Sequence, residues 1–297
     1  MDDKIEVSYV KQYSDNFRLA LQEGASELRA NVTEKDVGNA KAKSFDDIGR
    51  TDVIDKTARH PDTPEITIDH NRRWLRCNTR HWSTLIDDDD KIQMLADPTS
   101  DYLQTAKNAF GRKIDQVIVN AAFGPVTTGT DMETTENFPT ANSMILASSL
   151  TVEALTNIHT AMNKLHIPKT GRIIVLTSDE MNALLKEEKT TNADYSAVKA
   201  LVNGELNTFM GFKFITIDEE CGGAKIIPSV KSGSDTYNRC FATQKEMIYF
   251  GMQRDITVKI DERKDKSYSK QLYVSARFGA MRATKNGVLE LKCKTGV

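Results

Sequence analysis

Tyr195 and Lys199 stand four residues apart in a run of helical spacing. On a helix that puts phenol and ammonium on one face, where the ammonium can lower the phenol's pKa for proton transfer. Cys77 lies four residues before His81. An imidazole so placed could activate a thiol, but proximity in sequence is the pair's only support, and an inert thiol is the plainer reading. His159 and His166 sit seven apart on an expected helix and could share a face, with no carboxylate or third histidine at ligand spacing. The run Asp87-Asp88-Asp89-Asp90 suggests a divalent cation at first sight. Consecutive side chains fan out, however, and do not converge as calcium ligands do; acids there suit the first turn of a helix. The four cysteines, Cys77, Cys221, Cys240 and Cys293, are scattered and form no Cys-x-x-Cys. Neither a disulfide framework nor a zinc site is expected, and a reducing compartment is the simpler setting. The sequence has no His-Glu-x-x-His, no Gly-x-Ser-x-Gly and no Gly-Lys-Ser/Thr phosphate loop. No catalytic, cofactor-binding or metal-binding residue is expected.

One enzymatic alternative stays open. Tyr195-Ser196-Ala197-Val198-Lys199, Asn120-Ala121-Ala122-Phe123-Gly124 and the Gly171–Ser178 segment resemble pieces of short-chain dehydrogenases. That resemblance implies an NAD(P)-dependent oxidoreductase using Tyr195 and Lys199. The cofactor half does not match: a dinucleotide site needs a glycine-rich turn after the first strand. Before residue 111 the glycines are Gly24, Gly38 and Gly49, each isolated. Tyr195, Val198, Leu201 and Val202 read better as an apolar stripe.

The elements that would position these residues are clearer than the chemistry. Asp97 can cap a helix, and Pro98 suits its first position. Leu103, Ala106, Phe110, Ile114, Val117, Ile118 and Ala121 recur at helical spacing until Gly124-Pro125 stops the run. About 25 residues make a rod of nearly 40 Å. Residues 8–30 carry Val10, Tyr13, Phe17, Leu21 and Leu28 at helical spacing, which predicts an amphipathic arm lying on its own domain or on a neighbour. A second helix is predicted from Leu150 to Leu165. A buried strand follows at Arg172–Leu176, then helices from Asp179 and over 194–209, and a strand at Met210–Ile217. This interleaving marks an α/β middle region. Gly222–Gly233 reads as a loop. Ile256, Val258 and Ile260 alternate, as do Leu272, Val274, Ala276 and Phe278, and then Leu289, Leu291 and Cys293. With Asn286-Gly287 as a hairpin turn, these predict one antiparallel meander packed on the long helix.

Residues 46–91 hold eleven acids and eight bases, with only short strand-like pieces such as Glu65-Ile66-Thr67-Ile68-Asp69. Such a segment cannot pack a core of its own; it reads either as a solvated loop or as a limb paired across a contact with a like molecule. The whole chain has 297 residues, 39% hydrophobic, with a formal net charge of -2. That excludes a disordered chain and the strongly basic balance of a dedicated nucleic-acid binder. The start is acidic and no apolar run reaches membrane length, so neither a signal peptide nor a membrane span is expected.

The chain resembles the major capsid proteins of tailed bacteriophages with the Hong Kong 97-type fold, in the short-tailed branch. The pieces that carry the likeness are Asp97–Tyr102, Gly111–Asp115, Thr191–Tyr195, Val198–Glu205, Phe209–Phe214, Asp255–Thr257 and Glu262–Tyr268, in that order. The resemblance implies an α+β fold. It implies an N-terminal arm (1–43), an extended loop (44–92), a peripheral domain with a spine helix (93–138 and 240–297) and an axial domain (139–239). It implies a non-enzymatic subunit with no cofactor, assembling as hexamers and pentamers into an icosahedral shell around double-stranded DNA. Partners would be a separate scaffolding protein, a portal and a decoration protein, with assembly in the bacterial cytoplasm and a final place in the virion. An encapsulin-like compartment shares the fold and would hold an enzyme cargo instead. The expected assembly contacts are Tyr13 and Phe17 on the arm and Arg72, Arg73, Trp74 and Arg76 on the loop; Trp74 and Trp82 fit packing within the subunit equally well. The charged limb ahead of Asp97 is expected to find its partner on the next copy.

Overall fold

The computed structural model describes residues 26–59, 62–86, 99–146, 149–186, 208–232 and 235–294. In chain order the first strands are β1 (Thr33–Glu34), β2 (Ala42–Ile48), β3 (His70–Arg76) and β4 (Asn78–Ile86). Helix α1 (Thr99–Phe123) follows, then β5 (Val126–Thr128), β6 (Thr134–Glu136), β7 (Ser143–Ile145), helix α2 (Val152–Lys164), β8 (Arg172–Leu176) and helix α3 (Ser178–Lys186). Among the described residues that follow, the elements are strands apart from a 3-10 turn at Lys245–Met247: β9 (Thr208–Phe209), β10 (Phe212–Thr216), β11 (Glu220–Cys221), β12 (Ala224–Lys225), β13 (Ser229–Ser232), β14 (Asp235–Gln244), β15 (Ile248–Arg263), β16 (Ser269–Arg282) and β17 (Val288–Lys294). The architecture is α+β, as expected.

Helix α1 is the predicted rod. Ala106, Phe110, Ile114, Ile118, Val119 and Ala122 are buried along one stripe. Its C-terminal carbonyls have no helical partners. The buried Arg282 guanidinium supplies them, donating to the carbonyls of Ala122 at 3.0 Å and Gly124 at 2.6 Å. Desolvation brings the Arg282 pKa down to about 10. On the buried face of the same helix, the Asp115 carboxylate accepts from the Ser26 hydroxyl (2.5 Å) and the backbone N–H of Glu27 (3.1 Å) and Leu28 (3.0 Å). Burial pushes the Asp115 pKa up, against those hydrogen bonds. Leu28 is fully buried in the main core and β1 pairs in parallel with β15, so residues 26–34 lie on their own subunit. The described end of the predicted 8–30 helix is a 3-10 turn at Arg29–Asn31.

Two sheets carry the main core. A four-stranded sheet has the order β1-β15-β16-β4, and a seven-stranded mixed sheet runs β7-β17-β14-β8-β10-β9 with β13 on β14. A second four-stranded sheet has the order β2-β3-β5-β6. All five residues of β8 are buried, as a central strand requires. Helix α2 begins where Thr151 Oγ1 accepts from the Ala154 N–H at 3.1 Å, and it buries Ala154, Leu155, Ile158 and Met162.

The predicted C-terminal meander is corrected by this topology. The hairpin at Asn286-Gly287 does not form: β17 leaves β16 and pairs with β14, from Tyr237↔Lys294 to Thr243↔Val288. β14 and β17, expected in the peripheral domain from residue 240 on, therefore share a sheet with β8 and β10. An apolar strand goes where its side chains find cover, and Val288, Leu289, Leu291 and Cys293 are all buried there. On β15 the alternation misleads too, because Val258 and Ile260 are exposed. Gly222–Gly233 is not a plain loop: it contains β12, which pairs with β11, and β13, which pairs with β14. Glu65–Asp69 forms no strand. Within the predicted 194–209 helix, Thr208 and Phe209 form β9, and the rest lies outside the described residues.

Candidate assembly surface

The chain between Ala42 and Arg76 runs out and back. Strands β2 and β3 pair antiparallel from Ala42↔Arg76 to Ile48↔His70. The Gly49 N–H donates to the Asp69 carbonyl at 2.8 Å. Beyond that bond, every described residue from Arg50 to Asp69 is exposed and none is in regular structure. Val53 is 93% and Ile54 59% exposed, and Ile66 and Ile68 also face solvent. Water is a poor environment for four such side chains within one short limb. About ten residues per side reach at most about 35 Å beyond the paired strands.

The root of this hairpin is held inside the subunit, which corrects the expectation that the whole limb lacks an internal partner. β3 pairs with β5 through Arg73↔Thr128 and Trp74↔Thr127, and β4 pairs with β16 over nine positions. Arg73 is 3% exposed and donates to Glu136 Oε2 at 2.5 Å, so it offers no surface to another molecule. Trp74 Nε1–H donates to the Gly129 carbonyl at 2.7 Å, which is packing within the subunit. Arg72 grips Asp46 in a two-pronged ion pair at 2.7 and 3.1 Å, and Arg76 reaches the Met132 sulfur at 3.2 Å. Trp82 packs against the main core. Tyr13 and Phe17 lie outside the described residues.

Two glycines make the root possible. Gly251 and Gly279 face each other across β15 and β16. A Cβ on Gly279 would sit 1.9 Å from the Arg76 carbonyl, and one on Gly251 would sit 2.3 Å from Val37 Cγ2 and 2.8 Å from Leu75 Cδ2. The junction of β3 and β4 thus crosses directly over this glycine pair. Val37, Leu75, Cys77 and Met281 close a small core there, with Phe45 and Tyr249 packed on it, ring centroids 5.2 Å apart.

Among the described residues, the enzymatic alternatives find no supporting geometry. Burial pushes the Cys77 thiol up, and its sulfur contacts the Gly251 carbonyl, while His81 stacks on Tyr273. His159 is on α2, but His166 lies past its end with φ of 58°, so the two share no helix face. Ser178, the serine of the dehydrogenase-like strand, donates from its N–H to Asp218 at 3.0 Å. Arg172 binds the carbonyls of Pro168 and Ile167 at 2.9 and 2.6 Å. Tyr195, Lys199 and the Asp87–Asp90 run lie outside the described residues. One juxtaposition has no signal in the spacing: Cys240 and Cys293, far apart in sequence, meet with Glu180 in the core. The hydrogen bond between the two thiols, together with burial, holds Cys240 well above the ordinary thiol range.

A family model described as phage capsid protein matches residues 5–295. The chain belongs to the phage capsid protein family. This subunit is a structural major capsid protein, and the oxidoreductase alternative has no support. Its fold is that of solved phage capsids. The capsid of Helicobacter pylori bacteriophage KHP30, described as acid-stable, superposes with a TM-score of 0.74 at 9% identity, covering 100% of this chain and 98% of that one. The cyanophage Pam1 capsid gives 0.72 at 13% identity, covering 99% of both chains. The cyanophage P-SCSP1u capsid gives 0.72 at 14% identity, covering 97% of this chain and 94% of that one. No curated protein matches. The family match does not single out the short-tailed branch. Among the described residues, no helix of the capsid subunit is long and apolar enough to cross a membrane.

Proposed function

We propose that this capsid subunit closes an icosahedral shell around double-stranded DNA by laying the tip of its hairpin, residues 50–69, on a neighbouring copy within hexamers and pentamers. The observation that carries this reading is the exposure of Val53, Ile54, Ile66 and Ile68 on a limb whose root is bolted to the subunit. The tip carries five acids and three bases (Asp52, Asp55, Asp62, Glu65 and Asp69; Arg50, Lys56 and Arg59), so a neighbour of mixed charge can pair with it and fix its register. Rings require head-to-tail contacts, in which one patch meets a different patch, and a protruding limb supplies such an asymmetric contact. After the first contact in a ring the others are intramolecular, so modest contacts sum to a stable container. The work is done by assembly, with no chemical step. A scaffolding protein, a portal and a decoration protein fit as partners, with DNA held by non-specific contact. The subunit would assemble in the bacterial cytoplasm and end in the virion.

The test is to excise residues 50–68 and bridge the strands with Asn-Gly, which suits a tight hairpin. The cut spares β3 and β4, which belong to the subunit's own sheets. The expected result is a soluble, cooperatively folded subunit that forms no closed particles by electron microscopy. Normal particles from this variant would refute the assignment.

A further inference from the structure

We propose that Glu180, Cys240 and Cys293 form a buried structural site for a thiophilic divalent cation, with zinc the best fit. Cys240 on β14 and Cys293 on β17 are diagonal neighbours on one sheet face, since Asn238 pairs with Cys293 and Cys240 with Leu291. Glu180 enters that face from the first turn of α3. The two sulfurs and a carboxylate oxygen all lie within 4.8 Å of one another, and the three residues are 1–2% exposed. Tetrahedral zinc takes sulfur at about 2.3 Å and oxygen at about 2.0 Å, which puts ligand atoms about 3.5–4 Å apart. The cluster supplies three of the four tetrahedral positions and needs to tighten only slightly to do so; a water molecule would take the fourth.

The chemistry of the donors selects the ion. Two thiolates and one carboxylate favour zinc over magnesium or calcium, which take oxygen ligands. A buried carboxylate ordinarily has a cationic partner. Among the described residues no lysine, arginine or histidine forms an ion pair with Glu180; a bound dication would give its oxygen a direct cationic contact, while the two thiolates balance the ion's own charge and the site keeps one net negative charge. The site also has an outer layer. Asn238 Nδ2 donates to Glu180 Oε1 at 2.9 Å, and the Thr177 hydroxyl donates to Glu180 Oε2. Such donors orient a metal-bound carboxylate. Binding breaks two S–H bonds and forms two metal–sulfur bonds and one metal–oxygen bond to Glu180; two protons leave to solvent, and nothing is oxidised or reduced. The ion would join α3 to β14 and β17, which already pair with each other, and so pin the helix to that sheet.

The full-length protein is refolded with Zn²⁺, dialysed free of loose metal, and its metal content measured; a second sample is refolded with Co²⁺ and its absorption recorded. The expected content is about one zinc per subunit, bound as the chain folds. Co²⁺ should give a thiolate charge-transfer band and the visible absorption of tetrahedral coordination. The double variant Cys240→Ser/Cys293→Ser, with folding checked by circular dichroism, should retain less than about a tenth as much metal. Should that variant fail to fold, the cobalt spectrum of the unaltered chain decides alone. Wild-type protein that folds without retaining zinc, or shows no thiolate band with cobalt, overturns the proposal. So does an intact mass showing Cys240 and Cys293 joined as a disulfide.

Discussion

Between Ala42 and Arg76 the same kinds of residue, charged side chains interspersed with a few large apolar ones, meet two different fates. At the root, Arg73 is matched to Glu136, Trp74 to the Gly129 carbonyl and Leu75 to a small apolar core. At the tip, Val53, Ile54, Ile66 and Ile68 face water, and the one described ion pair, Arg50 with Asp52 at 3.6 Å, is open to solvent. Composition is similar, so composition does not decide the outcome. What differs is the surface each part can reach. The root lies against β5 and the Gly251–Gly279 saddle; the tip touches its own subunit where Arg50 comes within 3.5 Å of His166, and its apolar side chains stay exposed. A limb of this kind is read correctly only by asking, strand by strand, where its hydrogen bonds go.

The contrast can be broken from either end. The largest effect should come from Val53→Asp with Ile54→Asp. If the two side chains are buried on assembly, their loss costs about 4 kcal/mol per contact, or about a thousandfold in affinity. Particle yield should collapse, while the unfolding midpoint of the isolated subunit stays put. Next is Gly279→Val, which drives a side chain into the Arg76 carbonyl. It should destabilise the isolated subunit by about 3 kcal/mol in urea unfolding, before assembly is even tested. Trp74→Phe keeps an aromatic ring but removes the donor to Gly129 and part of the indole's packing, so it should cost about 1–2 kcal/mol in the same measurement.

The smallest effect belongs to Asp46→Asn. The hydrogen bond from Arg72 holds the Asp46 carboxyl below the usual range. Its contribution is therefore present above the ordinary carboxylate pKa and is lost as pH falls through the lowered one. The variant should flatten that acid-side dependence slightly, and added salt should do the same to the unaltered chain, because the pair is exposed.

Elements that follow a single period were legible in the sequence. Helix α1, helix α2 and β8 announce themselves through spacing and end signals, and the structure places them where expected. What escaped depends on cover supplied from elsewhere. Asn286-Gly287 has the chemistry of a hairpin, yet the free edge of β14 outcompetes β16 for the last strand. Gly279 is an ordinary strand residue until the Arg76 carbonyl is seen passing 1.9 Å from where its Cβ would be. Arg73 was expected as an assembly contact on the loop; within the subunit it is buried against Glu136, far along the chain, a pairing no spacing announces. Cys240 and Cys293 carry no spacing motif because sheet pairing brings them together. The charge density of residues 46–91 was visible, but not the division of that stretch into root and tip.

Hydrogen exchange of backbone amides, compared between isolated subunits and assembled shells, tests the division most directly. Amides of β2 and β3 should be protected in both states. Amides of residues 50–69 should exchange at nearly free-chain rates in the isolated subunit and slow by orders of magnitude in the shell. Equal and rapid exchange of residues 50–69 in both states would mean that the tip has no partner on a second copy, and the assembly reading would fail.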